Sequence, residues 1–189
     1  NREKALLQDL DYENGYSLYV GIPFCPSICL YCSFGSHPLE RWTKRVDEYL
    51  DTLCKELTFI REQMGARKLT TVYIGGGTPT TLEPEQLRRL LSHIQETFDF
   101  TWVKEYTVEA GRPDSITREK LQVMKEFPVT RISVNPQTMN QKTLDVIGRK
   151  HTVEDTVNIF HMARELEFDN INMDLIIGLP GEGKEEVAH

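Results

Sequence analysis

The feature that most constrains this chain is a regular alternation of two hydrophobic periods. Short β-branched runs are each followed by a stretch of helical spacing, in a pattern that begins five times in 189 residues. The strand-like runs are residues 17–22, 70–74, 106–109, 131–134 and 170–177. The first helical stretch, 41–64, sets Trp42, Val46, Tyr49, Leu50, Leu53, Leu57, Ile60 and Met64 at helical spacing. The second starts near Pro84, a residue suited to a first helical turn, and carries Leu87, Leu90, Leu91 and Ile94. The third covers 117–127, and the fourth covers 142–147 and 153–167 with a break near Gly148. Strands alternating with helices predict parallel βαβ units joined by right-handed crossovers, hence an α/β fold.

The unusual residues fall where such a fold does its chemistry. Cys25-Pro26-Ser27-Ile28-Cys29-Leu30-Tyr31-Cys32, the triplet Gly75-Gly76-Gly77, Glu109-Ala110-Gly111, Asn135-Pro136-Gln137 and residues 174–181 all lie at or just after the end of a strand. In parallel α/β sheets and barrels the carboxyl ends of the strands carry the active site. The cysteines, spaced x3 and then x2, supply three ligands from one loop. A structural zinc site closes with four ligands, whereas a [4Fe–4S] cluster held by three thiolates keeps one iron open for a ligand. Two other readings stand beside the cluster: zinc with His37 as fourth ligand, and a disulfide between two of the three cysteines. The fourth cysteine, Cys54, lies within an amphipathic helical pattern and is expected to be a buried small hydrophobe. The glycine triplet permits a tight turn or a close backbone approach to a ligand, and it is not a phosphate-binding P-loop, because no Gly-Lys-Ser/Thr follows.

Composition narrows the class. The balance of 22 Lys and Arg against 29 Asp and Glu gives −7, the wrong sign for a general nucleic-acid binder. No run of about 18 apolar residues could span a membrane. Residues 1–10 are charged and lack the apolar core of a signal peptide, and four cysteines with three clustered do not make a secreted disulfide framework. The expected setting is the cytoplasm, reducing and anaerobic. With no linker, repeat or low-complexity stretch, residues 1–189 read as one domain.

The segment Cys25–Cys32 resembles the cysteine motif of the radical S-adenosylmethionine (SAM) enzymes, and Gly75-Gly76-Gly77-Thr78-Pro79-Thr80 is similar to the form found in oxygen-independent coproporphyrinogen III oxidases. The likeness extends to Tyr19-Val20-Gly21-Ile22-Pro23-Phe24-Cys25, Val108-Glu109, Ser133-Val134-Asn135-Pro136-Gln137, Ile147-Gly148-Arg149-Lys150-His151 and residues 172–180. The variants at 109–113 and at Asn135-Pro136 look most like the HemZ-like branch, whose members are described as coproporphyrinogen III dehydrogenases. The resemblance implies a partial (β/α)6 barrel. About five units would be present in this fragment, with the sixth unit and a C-terminal domain missing beyond the chain end. It also implies that Cys25, Cys29 and Cys32 ligate a [4Fe–4S] cluster and that Tyr19, Gly76 and Glu109 contact the SAM bound to it. Tyr31, Gly77, Thr78, Gln137, Arg149 and Asp174 match positions that line a second SAM site, so that one or two SAM molecules are expected. Two departures stand out: Phe34 occupies the place of a fourth cysteine in the best-known enzymes, and Gly21 the place of a histidine.

The implied activity is an oxidoreductase that converts propionates of coproporphyrinogen III to vinyl groups, giving protoporphyrinogen IX in haem biosynthesis. The partners are a tetrapyrrole substrate and an electron donor such as flavodoxin or ferredoxin, with no nucleic acid and no membrane span. Three rivals share features of the sequence: a haem chaperone on the same scaffold, a radical SAM methyltransferase that opens the haem ring, and a zinc-stabilised binding module. The residues 170–177 are expected to present an unpaired strand edge open to self-association.

Overall fold

The computed structural model describes residues 13–34 and 37–185. The charged segment 1–10, and residues 186–189 at the start of the expected fifth helix, lie outside the described residues.

Five strands form one parallel sheet, and its spatial order follows the chain. β1 (Gly15–Ile22) is followed by two-residue strands β2 (Phe24–Cys25) and β3 (His37–Pro38), which pair with each other. Helices α1 (Leu39–Trp42) and α2 (Val46–Met64) then lead to β4 (Lys68–Gly76). α3 (Pro84–Thr97) precedes β5 (Glu105–Gly111), and α4 (Arg118–Lys125) precedes β6 (Arg131–Val134). α5 (Gln141–Val146) and α6 (Val153–Glu165) return the chain to β7 (Ile171–Asn172). The large sheet runs β1-β4-β5-β6-β7, all neighbours parallel. This is the α/β class and the partial barrel of parallel strands read from the sequence.

Local chemistry explains most boundaries. Pro84 opens α3 while the Glu83 backbone N–H donates to Gln86 Oε1 at 3.0 Å. Thr117 caps α4, Asn140 caps α5, and Thr152 with Asp155 closes a capping box on α6. Gly148, at φ 76°, makes the break between α5 and α6. The core stripe of α2 is Val46, Leu50, Leu53 and Leu57, which packs with Leu90, Leu91 and Ile94 of α3 against Val72, Ile74 and Val108 of the sheet. Strand β5 is buried along nearly its whole length, as expected of a parallel strand covered on both faces.

Three expectations need correction. The helical stretch 41–64 is not continuous: Trp42 ends α1, and a 3-10 turn at Thr43–Arg45 separates it from α2. Cys54 is only partly buried, because the stripe that meets the core passes through Leu53 and Leu57 and leaves it to one side. The apolar run 170–177 forms a strand only at Ile171–Asn172, with one further bridge between Gln137 and Leu175. Gln137 adopts φ 69°, which bends the chain after β6 and ends a regular ladder. Met173, Leu175 and Ile177 are consequently exposed.

Candidate functional site

At the carboxyl ends of the strands lies a cavity of about 270 Å³. The three clustered cysteines line it, together with Tyr31, Gly76, Gly77, Thr78, Glu109, Gln137, Arg149 and Asp174. Residues drawn from four strand ends and two later loops thus meet on one space, although some are more than a hundred positions apart. Tyr19 does not line it. Its ring is exposed and stacks on Tyr73 at 5.8 Å, on the flank of Glu109.

The cysteine loop is fixed at both of its ends. Beyond β4, the Gly77 N–H donates to the Ile22 carbonyl (2.7 Å) and the Thr78 N–H to the Phe24 carbonyl (2.8 Å), which ties the glycine turn to the start of the loop. The Leu30 N–H donates to the Ile147 carbonyl at 3.1 Å. A Cβ on Gly77 would lie 2.7 Å from the Phe24 carbonyl and 3.0 Å from Cys25 Sγ, so only glycine fits. Gly76 has φ 104°, a conformation open to glycine alone. The triplet is therefore required for close backbone approach.

All four cysteines are free thiols, so the disulfide reading is not what the fold adopts. Cys25 and Cys29 are buried. Among the described residues no group of three His, Cys, Asp or Glu is gathered tightly enough for one metal ion. His37 turns away from the cysteines: it stacks on Trp42 at 4.9 Å and lines a separate, larger cavity of about 460 Å³ with Phe24 and Tyr49. The donor set of three thiols beside a glycine cradle fits a cysteine-ligated iron–sulfur cluster and not a Cys3His zinc ion.

Sequence reasoning missed Arg112. Strand β5 is bulged between Glu109 and Gly111, with Gly111 at φ 62°, and the next residue is thereby turned under the cysteine loop. Arg112 is 3% exposed. Its Nε and Nη2 donate to the two carboxylate oxygens of Asp114 at 2.9 and 2.7 Å, while Nη1 donates to the Ser27 carbonyl (2.9 Å) and to Cys29 Sγ (3.5 Å). Burial opposes its charge, and the Asp114 carboxylate more than restores it. The only local signal was a cation inside a strand-end motif, and the thiol it meets is 83 positions away. Thr78 adds a second contact to the thiols, from its Oγ1 to Cys25 Sγ at 3.6 Å.

The carboxylate and cation of the cavity are oppositely equipped. Burial first, and then the Asp174 charge, push the Glu109 carboxyl up from its usual range; hydrogen bonds from Tyr73 and the Gly76 N–H work against that. Tyr73 itself is pushed up to about 12, by burial and by the nearby carboxylates. Arg149 is buried and donates from Nη2 to Tyr31 Oη at 2.7 Å, but its Nε and Nη1 find no partner. A buried guanidinium with two idle donors beside a cavity is suited to clamping a carboxylate. Close to it, neither ring nitrogen of buried His151 makes a well-formed hydrogen bond, and burial pushes its pKa down. Gln137 is held by its backbone, donating from N to the Asp174 carbonyl (3.1 Å) and accepting from Ile176 N (2.9 Å). Phe34, in the place of a fourth cysteine, is an exposed member of the cavity rim. Gly21 lies outside the cavity, its carbonyl accepting from Tyr49 Oη at 2.5 Å.

Comparison with known proteins places this geometry. A family model described as the Radical SAM superfamily matches residues 19–189. The oxygen-independent coproporphyrinogen-III oxidase-like protein HemZ of Bacillus subtilis is 45% identical over 100% of the chain and 38% of its own length. The heme chaperone HemW of the same organism is 40% identical over 92% of the chain and 45% of its own length. The crystallised coproporphyrinogen III oxidase HemN of Escherichia coli, described as a radical SAM enzyme, superposes with a TM-score of 0.84 at 32% identity, over 98% of this chain and 43% of that one. The chain therefore spans roughly two fifths of the length of the relatives it matches. Among the described residues no helix is long and apolar enough to cross a membrane.

Proposed function

The chain belongs to the radical SAM superfamily, and within it we propose that the protein is an oxidoreductase of tetrapyrrole metabolism, acting on the propionates of coproporphyrinogen III. The superfamily implies a [4Fe–4S] cluster and SAM, which when bound supply one electron and a 5′-deoxyadenosyl radical able to abstract a hydrogen atom. The observation that carries the reading is the convergence of three free thiols, a partly buried carboxylate and a guanidinium with two idle donors on one cavity.

In this proposal Cys25, Cys29 and Cys32 hold the cluster. Gly76 and Gly77 let the backbone approach the ligand, and Glu109 accepts hydrogen bonds from the ammonium of the cluster-bound SAM. Arg149, assisted by Tyr31, Gln137, Thr78 and Asp174, serves a second carboxylate-bearing ligand, a further SAM molecule. The raised pKa of Glu109 supports this role: burial and the Asp174 charge outweigh the help its ionised form receives from Tyr73, the Gly76 N–H and Arg149, and an ammonium beside it would add the missing compensation. The substrate loses one hydrogen atom from each reacting propionate, then carbon dioxide, and the last electron passes to an acceptor outside the chain. Within this proposal residues 1–189 form one radical SAM domain.

Anaerobic reconstitution of the full-length protein with iron, sulfide, SAM, dithionite and coproporphyrinogen III tests the reading, with chromatography of the porphyrins and of 5′-deoxyadenosine. Protoporphyrinogen IX is expected. A second reading, a haem chaperone, is favoured by the 40% identity to HemW and by Phe34 in place of a fourth cysteine. Stoichiometric haem binding with no conversion of coproporphyrinogen would select it instead.

A further inference from the structure

The bulge in β5 gives this chain a device that the activity itself does not explain. A guanidinium that is almost completely buried sits beneath the thiol loop, and its hydrogen-bonding directions are divided between two tasks. One edge, Nε and Nη2, is held side-on by Asp114, whose side chain is 18% exposed. The remaining nitrogen, Nη1, reaches Cys29 Sγ and the Ser27 carbonyl together. The positive end of a buried ion pair is thus presented to a thiol, with its counter-charge on the far side.

The backbone that aims it is unusually well fixed. The Arg112 N–H donates to the Ala110 carbonyl at 2.7 Å, and the Asn135 N–H donates to the Gly111 carbonyl at 2.9 Å. The Thr80 and Ser115 hydroxyls lie 2.6 Å apart and contact the Ala110 and Arg112 carbonyls at 2.7 and 2.8 Å. Lys120, also buried, donates from Nζ to the carbonyls of Thr80 (2.7 Å) and Ser115 (3.2 Å). Such a set of satisfied buried groups leaves the guanidinium little freedom to leave the sulfur.

We propose that Arg112 is a positioning residue that tunes the reduction potential of the cluster through its hydrogen bond to Cys29, with Asp114 setting how much of its charge the cluster feels. The proposal rests on the reading that Cys29 is a cluster ligand. A donor to a ligating sulfur, and a nearby cation, stabilise the more negative reduced cluster and raise its potential. The Asp114 carboxylate offsets that field. Removing the cation must then lower the potential, and removing the anion must raise it.

The test is a redox titration of the reconstituted full-length protein, without SAM or tetrapyrrole, read by electron paramagnetic resonance of the reduced cluster. Arg112→Gln is expected to reduce the reduced-to-oxidised ratio at the wild-type midpoint about tenfold, roughly 59 mV for one electron. Asp114→Asn is expected to raise that ratio, and the double variant to fall between the two. Unmoved midpoints with full iron content, or shifts of the same sign in both single variants, overturn the proposal. Should Arg112→Gln fail to keep a cluster, the upward shift in Asp114→Asn decides alone, and its absence overturns the proposal. A wild-type protein that takes up iron at other residues than Cys29 defeats the underlying reading and this proposal with it, an outcome that iron analysis of Cys29→Ala separates from unmoved midpoints.

Discussion

On the wall of the cavity built from β4, β5 and the turns after them, buried polar atoms meet one another: Thr80 with Ser115, Lys120 with two carbonyls, Arg112 with Asp114. On the facing wall, Arg149 leaves two donors idle, His151 leaves both ring nitrogens without a well-formed partner, and Asp174 stands exposed on an irregular strand edge. Both walls are lined by residues of the same fold, at the same ends of its strands. The first is complete without a ligand, and the second is completed by one. Internal satisfaction costs nothing when the cavity is empty, whereas idle buried donors cost about 1–3 kcal/mol each, a penalty retained only where something else occupies them.

The largest expected effect lies in the thiol loop, which hydrogen bonds tie to Thr78 and Arg112 on one side and to Ile147 on the other. Cys25→Ala, Cys29→Ala and Cys32→Ala should each abolish retention of a [4Fe–4S] cluster after anaerobic reconstitution, while Cys54→Ala keeps the full iron content. Cys54 projects from the helical layer on α2, away from the cavity. Iron analysis and electron paramagnetic resonance measure this, and full iron content in any of the first three variants breaks the assignment.

Next comes a paired comparison of stability with neither cofactor added. Thr80→Val removes the hydroxyl that joins the Ala110 carbonyl to the Ser115 hydroxyl in a buried network and should cost about 1 kcal/mol. Arg149→Met removes a buried cation that is poorly satisfied in the empty cavity, and should raise stability by about 1 kcal/mol. Urea denaturation of both variants reads the contrast directly. If the two substitutions shift the midpoint in the same direction, the walls do not differ as described.

The smallest effect concerns Glu109, where the walls join: Tyr73 and the Gly76 N–H act on it from one side, Asn135 and Asp174 from the other. Its carboxyl is raised above the ordinary value of 4.5. The fold therefore favours the protonated form, and this contribution is fully present below 4.5 and is lost as pH rises through the raised value. In the absence of cofactors, the stability of the wild type should decline over that window relative to Glu109→Gln. Denaturation midpoints of the two proteins across pH 4 to 8 measure the difference, and parallel curves would show that Glu109 ionises without penalty.

Much of this arrangement was legible from local pattern. The five strand starts, the helix start at Pro84 and the break at Gly148 all follow from spacing and side-chain chemistry within a few residues. Of the twelve residues singled out for the site, all but Tyr19 line one cavity, because strand ends in a parallel sheet share a face whatever their separation in sequence. The failures have a common cause. Arg112 acquires its place from a one-residue bulge, which no periodicity marks. Apolarity in 170–177 suggested a full strand, but the partner strand bends at Gln137 and leaves Leu175 and Ile177 facing outward. Pairing that depends on another segment's backbone cannot be read from the segment itself.

The strand order β1-β4-β5-β6-β7 is also the order of synthesis. Each strand emerging from the ribosome finds the edge it needs already made, so the sheet can grow by accretion without waiting for distant sequence. The thiol loop, its glycine cradle and the Arg112–Asp114 brace are all delivered by residue 115, before Gln137, Arg149 and Asp174 have been translated. The nascent chain can set the thiol loop on its brace first, and add the guanidinium with idle donors last.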